Sequence, residues 1–302
     1  MFIALILTFI SAIFFPGIII RTKSIASGRK GAGILQPMKD IWVLMHKGNV
    51  FSKTTSVIFR IAPVISFATI CSVLLVVPFG KLGSVVSFEG DFVFFAYMLA
   101  LGKFFMIISA LDTGSSFEGM GANREALYSM LVEPAFFILI ATFTLLTGYT
   151  SFSSIFSVVN FNHETYFIIG IIAFYLFVQI AMIENSRLPV DDPKTHLELT
   201  MIHEVMILDN SGFDLALIHF STALKFSLYG LLIANCIFPS VPNLYLQFGI
   251  FFVVQILFAI VVGYLESFRA RNRMMRNPQF ILTLSSIALI GFLLVLILHN
   301  LK

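Results

Sequence analysis

Charge is scarce in this sequence. Only 12% of its 302 residues are Asp, Glu, Lys or Arg and 58% are hydrophobic, whereas a soluble domain has about a quarter of its residues charged. This excludes a water-soluble globule, and a chain so poor in polar residues is neither disordered nor built to bind nucleic acid. The apolar excess, 35 Phe among it, is spread over the whole length and is not one tail or one signal sequence. Cysteine is scarcer still: Cys71 and Cys236 are the only two, each alone in an apolar run. Without a CxxC pair the chain offers no usual ligand set for an iron–sulfur cluster, a thiolate-held nickel or a structural zinc. Any redox metal is expected in a partner.

What is present is long apolar runs. A bilayer core needs about 20 mostly apolar residues per helix, and such runs fall at approximately 2–20, 57–78, 91–111, 133–149, 165–183, 214–237, 245–266 and 280–299. The sequence therefore predicts an all-α polytopic membrane protein: one transmembrane domain over 1–302 with about eight helices, a cytoplasmic acidic loop and a short interfacial helix. The first run opens Met1-Phe2-Ile3 with no basic leader, and Arg21 and Lys23 follow it, the reverse of a cleavable signal peptide. It reads as a retained helix with its N-terminus outside. Alternating from there puts loops 21–56, 112–132, 184–213 and 267–279 on one face, which holds 15 of the 19 Lys and Arg. Lys81 and Lys302 lie on the other face and Lys103 and Lys225 inside spans. This bias makes the long loops cytoplasmic and both termini external. The arginines at 269, 271, 273 and 276 read as positive-inside anchoring.

The acids are asymmetric too. Thirteen of 16 lie on or near the cytoplasmic side, and seven of them (Glu184, Asp191, Asp192, Glu198, Glu204, Asp209, Asp214) crowd into 184–214 against two basic residues. Pro189 and Pro193 stop the preceding helix. Asp192 before Pro193 suits an N-cap, and Thr195-x-x-Glu198 offers a capping box, so a short helix of about 13 residues is expected to end near Asp209 and Gly212. Leu197, Met201, Val205 and Leu208 would form its apolar band, with His196, Thr200 and His203 on another face; it suits the membrane surface or a docked partner. Uncompensated like charges raise each other's pKa, which fits a proton relay or redox-coupled switch, whereas solvated acids on an interfacial helix would be inert. His203-Glu204 lacks a histidine at zincin spacing, so no metal is expected here.

Glu184-x-x-Arg187-x-Pro189-x-Asp191-x-Pro193, followed by Glu198-Leu199 and Ser211-Gly212, resembles the signature loop of the complex I membrane subunit known as subunit 1. The run from Pro189 through Gly212 is closer still to its counterpart in formate hydrogenlyases and other energy-converting membrane-bound nickel–iron hydrogenases. Gly33-Ile-Leu35-Gln36-Pro37-Met-Lys-Asp40 and Gly121-Ala-Asn-Arg124-Glu-Ala126, leading to Glu133, are similar to two further segments of that family in the same order. Complex I proteins carry Phe-Asp-Leu-Pro-Glu where this chain has Val190-Asp191-Asp192-Pro193-Lys194, which favours the hydrogenase branch. The resemblance implies a prokaryotic inner membrane and a non-catalytic subunit. It also implies hydrophilic large and small cluster-bearing partners that hold the iron–sulfur and nickel–iron centres, and antiporter-like membrane neighbours. Gln36, Pro37, Asp40 and Arg124 would wall a cavity under the docked arm.

Ionisable groups inside a membrane are functional candidates by default. Lys103, Lys225 and Glu133 are such groups, and Lys225 and Tyr229 lie one turn apart. Glu133 occupies the position at which the family places a fourth-helix glutamate of the proton path, and Pro134 after it loosens backbone bonding and can admit water. The expected ion path therefore comprises Glu133, Glu184, Arg187, Asp191, Asp192, Glu198, His203, Glu204, Asp209, Lys103 and Lys225. Alternatives are a quinone-site subunit of a respiratory dehydrogenase and a stand-alone secondary transporter, the latter disfavoured by the lack of repeated halves or paired broken helices.

Overall fold

The computed structural model describes residues 2–159, 164–192, 201–241 and 243–300. The helices are α1 (Phe2–Ala26), α2 (Gln36–Met45), α3 (Val57–Val76), α4 (Asp91–Asp112), α5 (Ser116–Thr147), α6 (Phe152–Val158), α7 (Glu164–Glu184), α8 (His203–Met206), α9 (Gly212–Ile237), α10 (Leu244–Phe268) and α11 (Asn277–Asn300). Eight of these, all but α2, α6 and α8, are long and apolar enough to cross a membrane, and no strand occurs among the described residues.

The fourth span differs from expectation. It begins at Ser116, not near residue 133, and runs 32 residues, about 48 Å at 1.5 Å per residue. Glu118, Arg124 and Glu125 break the apolar pattern, but two of them are buried with partners, so the helix continues through them. Glu133 consequently stands in mid-helix. Gly148, at φ +75°, ends α5 with its N–H on Thr144 O, a left-handed helix stop.

Helix α9 is the central post. Buried residues surround it on nearly every side, and it packs against α1, α3, α7, α10 and α2, while α3 pairs with α4, α5 with α11 and α1 with α10. Connections alternate between two ends. At one end the 185–211 link meets the others: Ser211 Oγ takes the Val50 N–H at 2.9 Å, Arg124 Nη1 donates to Met201 O at 3.3 Å, and Asn277 Nδ2 donates to Val190 O at 3.0 Å. At the far end Gly90 N donates to Thr150 O and Asn235 Nδ2 to Pro78 O.

The expected 13-residue interfacial helix is reduced, among the described residues, to the single turn of α8; residues 193–200, with His196, Glu198 and the capping box, lie outside them. The reason is tertiary. Asp191 Oδ2 accepts the N–H groups of Ile202 and His203 at 3.2 and 3.0 Å, so the turn starts there, and Val205 and Met206 are buried instead of facing a membrane surface. Gly121 of α5 is required for this seat, because a Cβ there would lie 2.7 Å from Ile202 O.

Candidate functional site

Five helices bring ionisable side chains to one interior point. Lys103 of α4 places Nζ 3.1 Å from Glu125 Oε1 of α5 and 3.1 Å from Glu184 Oε2 at the end of α7. It also donates to Ser129 Oγ at 2.8 Å. These side chains are 6–11% exposed. Glu125 Oε2 accepts from Ser186 Oγ at 3.0 Å; Ser186 sits at φ +49° in the reversal that closes α7. Lys225 of α9 donates to the Glu184 carbonyl at 3.1 Å, a cation on the negative end of α7. Two carboxylates and two ammonium groups thus neutralise one another, which is how buried charge is tolerated.

Two small cavities flank this cluster. The first, about 30 Å³, is lined by Lys103, Glu125, Glu184, Asn185, His203 and Lys225 among others. The second, about 40 Å³, is lined by Lys103, Ser129, Glu133, Glu184 and Tyr229 together with Phe95 and Phe136. Each exceeds the ~10–15 Å³ that one water needs. Lys103 and Glu184 border both, so a polar file runs from His203 beside the link 185–211 to Glu133 within the bundle. Burial holds His203 down at about 4, from an ordinary 6.5, with Glu125 opposing and Lys225 adding to the depression. Its ring is neutral near pH 7 and can accept or donate.

Asp191 is a joint rather than a cavity group. It is 1% exposed, its Oδ1 takes the Asp192 N–H and stands 2.9 Å from Arg271 Nη2, and its Oδ2 holds α8. Burial raises its pKa above the ordinary 3.8, against the pull of the N–H bonds and Arg271. Arg271 is therefore a partner of the acidic loop and not only a membrane-surface charge. Asn272 N donates to Pro189 O at 2.9 Å, bolting the same two links together. Two of the described acids of 184–214 are therefore compensated: Glu184 and Asp191 each face a cation.

The other expected residues lie elsewhere. Arg187 turns toward α10, 3.2 Å from Glu266 Oε1 and 5.4 Å over the Phe226 ring, and Glu266 also meets Lys23 at 3.5 Å. Asp192 and Glu204 are half-buried and Asp209 is exposed, its backbone N–H on Glu118 Oε1 at 3.1 Å. Gln36 and Asp40 are exposed and bond each other at 2.7 Å along α2; with Pro37 and Arg124 they line neither cavity. Sequence reasoning overlooked Glu125, Ser129, Ser186 and Glu266. Glu125 had a signal: 118, 125 and 133 share one face of a helix, visible once α5 is started at Ser116.

Eight apolar helices around a charged interior define a multi-pass membrane protein. The sequence matches the NADH dehydrogenase family over residues 1–297, and the chain belongs to that family. It is 29% identical over 197 residues to formate hydrogenlyase subunit 4 of Escherichia coli, covering 65% of this chain and 63% of that one. It is 29% identical over 213 residues to hydrogenase-4 component C of the same organism, covering 70% and 66%. The matches thus span just under two thirds of either relative. NADH-ubiquinone oxidoreductase chain 1 of Chondrus crispus is 26% identical over 176 residues, 57% of this chain and 53% of its own. A solved structure of the membrane-bound sulfane sulfur reductase, an archaeal respiratory membrane complex, has a chain with the same fold: TM-score 0.82 at 18% identity, covering 97% of each.

Proposed function

We propose that this chain is the membrane-anchor and ion-coupling subunit of a multi-subunit membrane-bound hydrogenase of the formate hydrogenlyase type. It docks the soluble redox arm on the end that carries the 185–211 link and couples electron transfer to proton or sodium movement. The observation that carries the reading is the Glu125–Lys103–Glu184 cluster between two cavities, at 3.1 Å contacts. Carboxylates and amines at that distance exchange protons when one is perturbed, and the loop joint at Asp191 and α8 abuts the same cluster. The hydrogenase relatives support the choice of complex. In this reading the membrane is a prokaryotic inner membrane with the long loops cytoplasmic. The soluble partners are a large subunit and a small cluster-bearing subunit, with antiporter-like subunits beside this chain in the membrane.

Cys71 and Cys236 belong to different helices and line neither charged cavity. Iron–sulfur and nickel–iron centres are therefore assigned to partners, which supply the electron chemistry. A second reading, a quinone-site subunit of a complex I-type dehydrogenase, is favoured by the relatives among NADH-quinone and NADH-ubiquinone oxidoreductases. Gentle purification of the tagged chain is expected to bring nickel–iron and cluster-bearing subunits; a lone polypeptide sinks both readings, and quinone reductase activity favours the second. In vesicles, Glu133→Gln or Asp191→Asn should lower the ions moved per hydrogen evolved, and intact pumping in both would overturn the coupling role.

A further inference from the structure

Beyond the cavities and an apolar plug lies one more buried acid. Asp91, at the far end of α4, is fully buried: Oδ1 accepts the Phe152 N–H at 2.7 Å, and beyond the neighbouring Phe92 N–H at the start of its own helix no side chain among the described residues bonds Oδ2. It stands twelve residues from Lys103 on the same helix, about 18 Å along the axis. Between them Phe95 lines the second cavity and stacks on Phe136 at 5.2 Å, with Phe152 against its edge at 5.5 Å. On the other side, next to Asp91 in the chain, an open polar pocket of about 300 Å³ is lined by Ser87, Glu89, Ser151 and Ser154. Cavity, aromatic plug and buried carboxyl thus follow one another along α4, the vestibule lies beside Asp91 in sequence, and the plug residue Phe152 is itself bonded to the carboxyl through its N–H.

We propose that Asp91 is an ion-conducting site on a far-end exit for protons through this chain, closed at rest by the Phe95–Phe136–Phe152 plug. The inference rests on the ion-coupling reading and extends it to a route within this chain. When the plug rings part, water joins the second cavity to Asp91. The carboxylate takes a proton from a cavity-side water as that water takes one from the next donor along the file, so no hydroxide is left, and then releases its proton to vestibule water; no electron moves. A plain structural tie between α4 and α6 would need only the Phe152 N–H bond, which an asparagine keeps; it gives no reason to bury an ionisable group between an aromatic plug and a polar vestibule.

The test uses the whole complex in liposomes loaded with a pH-sensitive dye, with a valinomycin-imposed potassium potential. Phe95→Ala should raise passive proton influx about tenfold, the factor given by lowering a barrier by about 1.4 kcal/mol, and adding Asp91→Asn should cancel the rise. Asp91→Asn alone should cut hydrogen-driven proton release while uncoupled electron transfer persists. A leak that survives in the double variant, or full pumping in Asp91→Asn, overturns the exit, and a sodium leak in place of a proton leak overturns its ion. Should Phe95→Ala not assemble, the Asp91→Asn pumping ratio decides. Glu133→Gln with Asp191→Asn separates the two claims: if both pump normally the coupling reading fails, whereas loss in either beside a normal Asp91→Asn breaks the exit alone.

Discussion

The two ends of the bundle are held together by different chemistry. Near the 185–211 link, helices meet through charge: Lys103 with Glu125 and Glu184, Arg187 with Glu266, Asp191 with Arg271. At the far end they meet through phenylalanine and neutral amides. Phe79 touches Phe238, Phe248 and Phe251 at 5.1–5.6 Å, while Gln247 Nε2 satisfies Phe238 O and Val241 O at 3.2 and 2.9 Å. The amides do there, without desolvating an ion, what charges do at the other end at greater cost. Packing alone does not call for the charged half, which is why its ions are read as functional; Asp91 is the far end's exception.

The largest effect should come from breaking charge balance. Lys103→Met leaves Glu125 and Glu184 buried without their cation and should cost about 3–5 kcal/mol, read from thermal melting of the solubilised chain. Adding Glu125→Gln and Glu184→Gln should recover most of that loss. Phe79→Leu at the far end should cost about 1–2 kcal/mol, and no charge substitution should restore it. If Lys103→Met melts like Phe79→Leu, the two ends are not chemically distinct.

The link end should also respond to pH, through two adjacent groups of opposite sign. His203 falls from 6.5 to about 4 on folding, so the unfolded chain takes its proton first. Its contribution is full above pH 6.5 and is lost as pH falls toward 4. Asp191 is raised above 3.8; the folded chain holds its proton longer, so its contribution is greatest in acid and declines as pH rises through the raised value. Melting His203→Gln between pH 4 and 7 should remove the rising component and leave stability flat or falling with pH. An unchanged rising slope would show that His203 is not the group responsible.

Much of this was legible in the sequence because the bilayer demands apolar runs: seven of the eight spans fall where hydropathy puts them. The eighth, α5, was truncated because Glu118, Arg124 and Glu125 look like a loop until their distant partners are known. The cluster was legible only in parts. Lys103 stands out in sequence as costly and Glu184 as acidic, but they are 81 positions apart, and nothing local says that one neutralises the other. Arg271 looks like a membrane anchor in sequence for the same reason, since its carboxylate lies 80 positions earlier. Glu184 and Asp191 look self-repelling in sequence because their cations, Lys103 and Arg271, come from other parts of the chain.

The smallest effect is expected on α2, where the Gln36–Asp40 bond at 2.7 Å is as short as any in the cluster but lies in solvent. Water already satisfies both groups there, so Gln36→Ala with Asp40→Ala should change melting by no more than about 0.5 kcal/mol. The same pair of substitutions should instead reduce how much soluble partner co-purifies, because exposed Val43, two turns on from Gln36, leaves this face of the helix open to a docked arm. A melting loss comparable to that of Lys103→Met would mean that distance, and not burial, sets the worth of these contacts. The contrast between the charged interior and its surface would then fail.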